Sequence, residues 1–175
     1  MMGDATGELR ERAEVTDLGQ VVLVDDLEAM FRLHYGRLVR ALTLASGSRD
    51  GAADAVQEAF VKAHLHWRRI RHYDDPVGWI RRVAVNRLRD DHRRQRRKAA
   101  AEQRLANERP ATLEPEIDET MALLAALPRQ QRLAMALYYV DGLPVADVAA
   151  TMRLSEGAVK FHLHQGRAKL REALR

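Results

Sequence analysis

No cysteine occurs in the 175 residues, which excludes disulfides, thiolate metal sites and thiol redox sensing within this chain. No apolar run approaches the ~20 residues needed to span a bilayer, so no membrane segment is expected. The opening "MMGDATGELRERAEVTD" mixes charges and lacks the apolar stretch of a signal peptide. Together these absences suit a soluble protein of the cytoplasm. Aromatics are scarce at 5%, while Ala, Leu, Arg and Val dominate, which favours helices over strands. Converging carboxylates are missing too. Asp74-Asp75 and Asp90-Asp91-His92 are the only acidic clusters of interest, and sequence neighbours diverge on a helix. His162 and His164 point about 200° apart on a helix, so they cannot share a metal ion. The expectation is no enzyme, no metal and no cofactor.

Apolar residues make up 46% of the chain, enough for a core, and the net charge is a modest +4. That charge is unevenly spread. Residues 81–98, "RRVAVNRLRDDHRRQRRK", hold nine Arg or Lys against Asp90 and Asp91 alone. Such a block points to a polyanion, with a solvated Arg-rich helix face as the competing reading.

The periodicity gives an all-α chain of two small helical domains joined by a linker. Residues 1–24 are an N-terminal extension read as a flexible tail, with "GQVVLV" (19–24) as an alternative docking strand. Residues 25–98 form three expected helices. The first is capped by Asp25 or Asp26, buries Leu27, Met30, Phe31, Leu38 and Leu42, and ends near Gly47. Ser48 or Asp50 opens the second, whose inner stripe is Ala52, Ala55, Val56, Ala59, Phe60, Ala63 and Trp67. Asp75 caps the third, Pro76 suits its first position, and Trp79, Ile80, Val83, Ala84 and Leu88 face inward. Residues 99–117 begin helix-compatible, then meet Pro110 and Pro115 among polar residues, and read as the linker. Residues 118–175 hold four helices, the last two arranged as a helix-turn-helix around Arg153-Leu154.

The last helix, capped by Ser155, carries its own instruction. Val159, Leu163, Gly166 and Leu170 share one face, which must be the buried one. Lys160 and His164 flank it, with Arg167 and Arg171 continuing the basic side. Phe161 lies almost opposite the core, beside Gln165. An apolar ring on a basic helix suits a thymine methyl in a major groove, or else a protein–protein contact.

On the second helix, Asp54, Gln57, Glu58, Val61 and Leu65 form a stripe distinct from the core stripe. A core needs only one stripe, so a second one, acidic at one end and apolar at the other, invites a partner. A solvent-facing acidic patch would account for Asp54 and Glu58 but not for exposed Val61 and Leu65.

Two motifs make the reading specific. "DAVQEAF" (54–60) resembles the core-binding segment of bacterial sigma factors, and "GWIRRVAVNRLRDDHRR" (78–94) is similar to their promoter-melting, −10-reading helix. The C-terminal half from "LPRQQRL" onward resembles their −35-reading domain nearly end to end. With only these two domains, the chain resembles the extracytoplasmic-function (ECF) subgroup of the sigma-70 family over residues 26–175.

That resemblance implies a promoter-specificity subunit whose partners are promoter DNA and core RNA polymerase, through the clamp of its largest subunits and its flap region. The stripe of Asp54, Gln57, Glu58, Val61 and Leu65 would meet the clamp, whose arginines suit the carboxylates. The loop "RIRHYDDP" (69–76) would supply the pocket for a flipped base, with His72 or Tyr73 stacking on it. Asn86 matches the family's Asn at the −10 surface. Trp79 matches a family Trp, although its spacing fits the core equally well. Arg89, Arg93 and Arg94 would hold phosphates. Ser155, Lys160, Phe161, His164, Gln165 and Arg167 would form the −35 surface.

The chain departs from the family where many members read "GTVKSRLHRAR" and it reads "GAVKFHLHQGR". Two cations are lost, so the −35 preference does not carry over. An anti-sigma factor is a further partner the resemblance allows. The alternative is a stand-alone helix-turn-helix regulator, which needs no polymerase surface.

Overall fold

The computed structural model describes the backbone of residues 5–103 and 119–175, and the side chains of residues 26–101 and 120–175. Among the described residues every regular element is a helix. The chain runs α1 (Ala5–Ser46), α2 (Arg49–Leu65), α3 (Trp67–Ile70), α4 (Pro76–Gln103), α5 (Glu119–Ala125), α6 (Arg129–Tyr139), α7 (Val145–Met152) and α8 (Glu156–Ala173). Pro110 and Pro115, which mark the expected linker, lie outside the described residues.

The first helix does not begin at Asp25 or Asp26. Helical backbone starts at Ala5 and passes through 19–24, where a tail or a strand was expected. The physical reason is visible in the composition: no proline interrupts residues 5–46, and its three glycines, Gly7, Gly19 and Gly36, cost only about 1 kcal/mol each in a helix rich in Glu, Leu, Arg and Ala. Of the expected inner face, Leu27, Leu38 and Leu42 are buried and Met30 packs against the core. Phe31 stays 39% exposed, stacked on Tyr35 and edge-on to Phe60. At Gly47 the backbone turns to φ +78°, where glycine carries no Cβ penalty.

Ser48 caps α2, its Oγ accepting from the Gly51 amide at 3.1 Å. The whole α2 stripe is buried, and its alanines let α1 and α4 approach α2 closely from either side. Trp67, expected to end this stripe, instead opens α3, because the backbone breaks at His66 (φ −117°, ψ 19°). Asp75 caps α4, with Oδ1 accepting from the Gly78 amide at 2.7 Å and Pro76 in the first turn.

In the C-terminal block, Leu133 to Leu137 of α6 are buried without a break. One amphipathic face cannot explain that. Helix α6 packs on α8 and α7 on one side and on α1 on the other. The two blocks therefore share one continuous apolar cluster, from Leu27 through Ile80 and Leu137 to Leu163. Helix α7 ends with Arg153 in the left-handed region (φ 57°), and Ser155 then caps α8 by accepting from the Ala158 amide at 3.1 Å. Val159, Leu163 and Gly166 are buried and Leu170 packs against the same core, as the spacing predicts. Burying Val159 and Leu163 contributes about 1.5–3 kcal/mol each to seating α8.

Candidate nucleic-acid interface

The outer stripe of α2 is exposed where a core stripe would not be. Asp54 and Gln57 face solvent, and Val61 and Leu65 are 58% and 69% exposed. Gln57 Nε2 donates to the Tyr35 hydroxyl at 3.2 Å. Glu58 is half-buried and already committed. It accepts from Lys62 Nζ at 2.7 Å and from Arg87 Nε at 2.5 Å, and these two bonds hold its carboxyl below the usual range. Arg87 also pairs with Asp91 one turn on. Asp54 is exposed and has no ion-pair partner among the described residues.

Helix α4 and its preceding loop make the next surface. His72 is exposed, and its Nε2 accepts from Arg71 Nε at 3.1 Å. Tyr73 and Trp79 are both half-buried against the core, and the Arg69 guanidinium lies 6.0 Å from the Tyr73 ring centroid. His72 is thus the more accessible ring of the loop. Asn86 opens onto a polar cleft between α2 and α4, lined also by Glu58, Lys62, Arg87, Asp90 and Arg94. Arg93 and Arg94 are exposed, Arg93 lying 3.9 Å from Asp90.

Arg89 does not face open solvent as a phosphate-holding residue would. Its Nη2 donates to the Met152 carbonyl at 3.0 Å, closing onto the end of α7. Burial, then the nearby Arg153 and Arg93, lower its pKa from the ordinary guanidinium value. Sequence reasoning also missed Arg81, which sits inside the basic block but is buried and donates to Asp141 Oδ2 at 2.6 Å. No local signal marks that pairing.

Helix α8 presents Lys160, Phe161, His164 and Arg167 on one exposed face. Phe161 is 58% exposed. Gln165 is half-buried, and Ser155, though exposed, spends its acceptor on the cap. Arg167 Nη1 donates to the hydroxyl of exposed Tyr139 at 3.4 Å, bringing a residue of α6 to the edge of this face. His162 lies off this face, half-buried.

A basic helix beside an outward acidic-and-apolar stripe, with a helix-turn-helix carrying its own cationic face, defines a helical DNA-binding protein of transcription. Residues 30–98 match the family described as Sigma-70 region 2, and residues 117–170 match Sigma-70, region 4. The ECF RNA polymerase sigma factor SigM of Mycobacterium tuberculosis is 32% identical over 151 residues, covering 84% of this chain and 76% of SigM. The corresponding figures for the ECF sigma factor SigE of Mycolicibacterium smegmatis are 28% over 168 residues, 89% and 64%. In fold, the chain is similar to the sigma factor RpoE solved in complex with the anti-sigma factor NepR from Bartonella quintana. The TM-score is 0.71 at 22% identity, covering 86% of this chain and 97% of that one. The chain belongs to the sigma-70 family of RNA polymerase sigma factors, in its ECF subgroup. Its function is to direct transcription initiation, within a family of initiation factors that are not enzymes. Among the described residues no helix is long and apolar enough to cross a membrane.

Proposed function

We propose a division of labour among three surfaces, with no chemistry of the chain's own. The α2 stripe of Asp54, Gln57, Val61 and Leu65 binds the clamp of core polymerase, with Glu58 held at its edge by Arg87. The loop bearing His72 and Tyr73, together with Asn86, Arg93 and Arg94 of α4, opens and reads the −10 element. Lys160, Phe161, His164 and Arg167 of α8 dock on the −35 element, with Phe161 as the apolar reader. The observation that carries this reading is the pairing of exposed Val61 and Leu65 with Asp54 on a helix whose opposite stripe already fills the core. The protein works in the cytoplasm, where polymerase and promoters are. An anti-sigma factor, of the kind named in the RpoE–NepR structure, would cover these same surfaces.

The test is charge reversal. Asp54→Arg together with Glu58→Arg is expected to abolish co-purification with core polymerase while leaving helicity and −35 duplex binding intact. Asp54→Arg alone is the cleaner variant, because it leaves the Glu58–Arg87 pair untouched, and it should weaken core binding strongly. Undiminished co-purification of both variants sinks the assignment.

A further inference from the structure

We propose that the arginines gathered where α4 meets the start of α6 form a binding site for a linear oligophosphate, a ligand that promoter recognition does not call for. Arg89, His92, Arg93 and Arg96 follow one another at the three- and four-residue steps that place side chains on one face of α4. Arg129 and Arg132 repeat that step in the first turn of α6. The two faces meet, because Arg129 Nη2 donates to the Leu88 carbonyl of α4 at 3.3 Å. Arg153, just beyond α7, comes up beside Arg89, whose Nη2 reaches the Met152 carbonyl at 3.0 Å.

This cluster is short of negative charge. Other cations of the N-terminal block have close carboxylates: Arg81 has Asp141, Arg87 has Glu58 and Asp91, and Lys62 shares Glu58. Within the cluster, the ion pair among the described residues is the exposed one between Arg93 and Asp90, at 3.9 Å. Arg132 Nε is buried without a hydrogen-bond partner among the described residues, a donor taken out of water with nothing in its place. Burial, then the neighbouring guanidiniums, lower the pKa of Arg89, Arg129 and His92 alike. Like charges held together in this way are relieved by taking up an anion.

The shape of the cluster selects the kind of anion. Guanidinium forks match phosphate oxygens two at a time. From Arg89 to Arg96 the face runs about 10 Å along α4, at about 1.5 Å per residue. A single phosphate or sulfate meets one end of that span, whereas a chain of phosphates passes from fork to fork. Arg89, Arg129 and Arg132 are half-buried while Arg93, Arg96 and Arg153 are exposed, so the site is a seam open along one edge. Such a seam admits a thin chain more readily than a duplex backbone.

Sodium tripolyphosphate is the probe. Titrated into the full chain at about 0.15 M salt, where loosely held surface ions are screened, it should bind one to one and raise the thermal midpoint. Sulfate at equal ionic strength should bind about tenfold more weakly, having fewer forks to fill. Arg132→Gln and Arg96→Gln should each weaken tripolyphosphate about tenfold, the loss of one charge-assisted contact. Arg96 is exposed, so its variant decides the matter even if Arg132→Gln folds poorly. Lys169→Gln removes the same charge from the exposed side of α8 and should leave the affinity unchanged. A nucleoside triphosphate titrated alongside distinguishes two sources of the chain: tighter binding points to a nucleotide, equal or weaker binding to an inorganic oligophosphate, and either upholds the site. Absence of one-to-one binding, or equal losses in all three variants, overturns it. Capture of a duplex without capture of tripolyphosphate also overturns it and hands these arginines to DNA.

Discussion

The two reading helices are dressed very differently. On α4 the arginines nearest the core are engaged within the protein: Arg81 with Asp141, Arg87 with Glu58 and Asp91, and Arg89 with a backbone carbonyl. On α8 the outward face is loosely held, with Lys160 at 3.8 Å from Glu156 and Arg167 on a 3.4 Å bond to Tyr139. Under the division of labour proposed above, the helix assigned to a duplex groove presents its cations loosely held, whereas the helix assigned to duplex opening has its inner arginines tied into the protein. Affinity for intact DNA is therefore expected to reside in α8 in the free protein.

The largest break in this contrast is made inside α8. Leu163 is 3% exposed and seats the helix on α6, so Leu163→Ala removes a buried side chain and should destabilise the C-terminal block by about 2–5 kcal/mol. Thermal melting would show a lowered midpoint, and −35 binding would fall with it. An unchanged midpoint would mean that α8 is not seated by this face.

Phe161 lies on the same helix and separates reading from folding. Phe161→Ala should leave the midpoint alone, because the ring is 58% exposed, and weaken binding to a selected −35 duplex by about 1 kcal/mol, roughly fivefold in Kd. Affinity for unrelated duplexes should barely move, since the ring holds no phosphate. Equal losses on both DNAs would make Phe161 a packing residue rather than a reader.

What the sequence discloses follows the same line. The inner stripe of α2 as far as Ala63, the inner stripe of α8 and the caps at Ser48, Asp75 and Ser155 are local patterns, and each is found where the spacing puts it. The outward stripe on α2 was legible because a core needs only one face. The commitments of α4 were not. Arg81 and Asp141 are sixty positions apart, and nothing in a basic run says which guanidinium turns inward. Met152 accepts from Arg89 through its backbone, which carries no residue-type signal at all. Val85 was overlooked for a related reason: it lines a small cavity with Ala45, Leu88, Arg89, Arg129 and Leu133, at a junction that exists only once the two blocks meet. The break at His66 has no proline or glycine to announce it.

The smallest expected effect sharpens the contrast through pH. His92 of α4 is half-buried, and burial first, then Arg129, Arg96 and Arg132, hold its pKa below the ordinary 6.5. Two of those guanidiniums belong to α6, so this environment exists only while the blocks are closed. When they part, the imidazole loses Arg129 and Arg132, keeps Arg96 of its own helix, and takes up a proton more readily. Below pH 6.5 the open form therefore binds more protons than the closed one, and closure weakens as pH falls until the closed-state imidazole is itself protonated. Above that range the group is neutral in both forms and contributes no pH dependence. Lowering the pH from about 7.5 to about 5.5 should loosen the packing of α4 on α6, read as a lower thermal midpoint, and His92→Gln should flatten part of that slope. Parallel slopes in wild type and variant would show that α4 does not feel the C-terminal arginines, and the contrast between the two reading helices would then rest on hydrogen bonds alone.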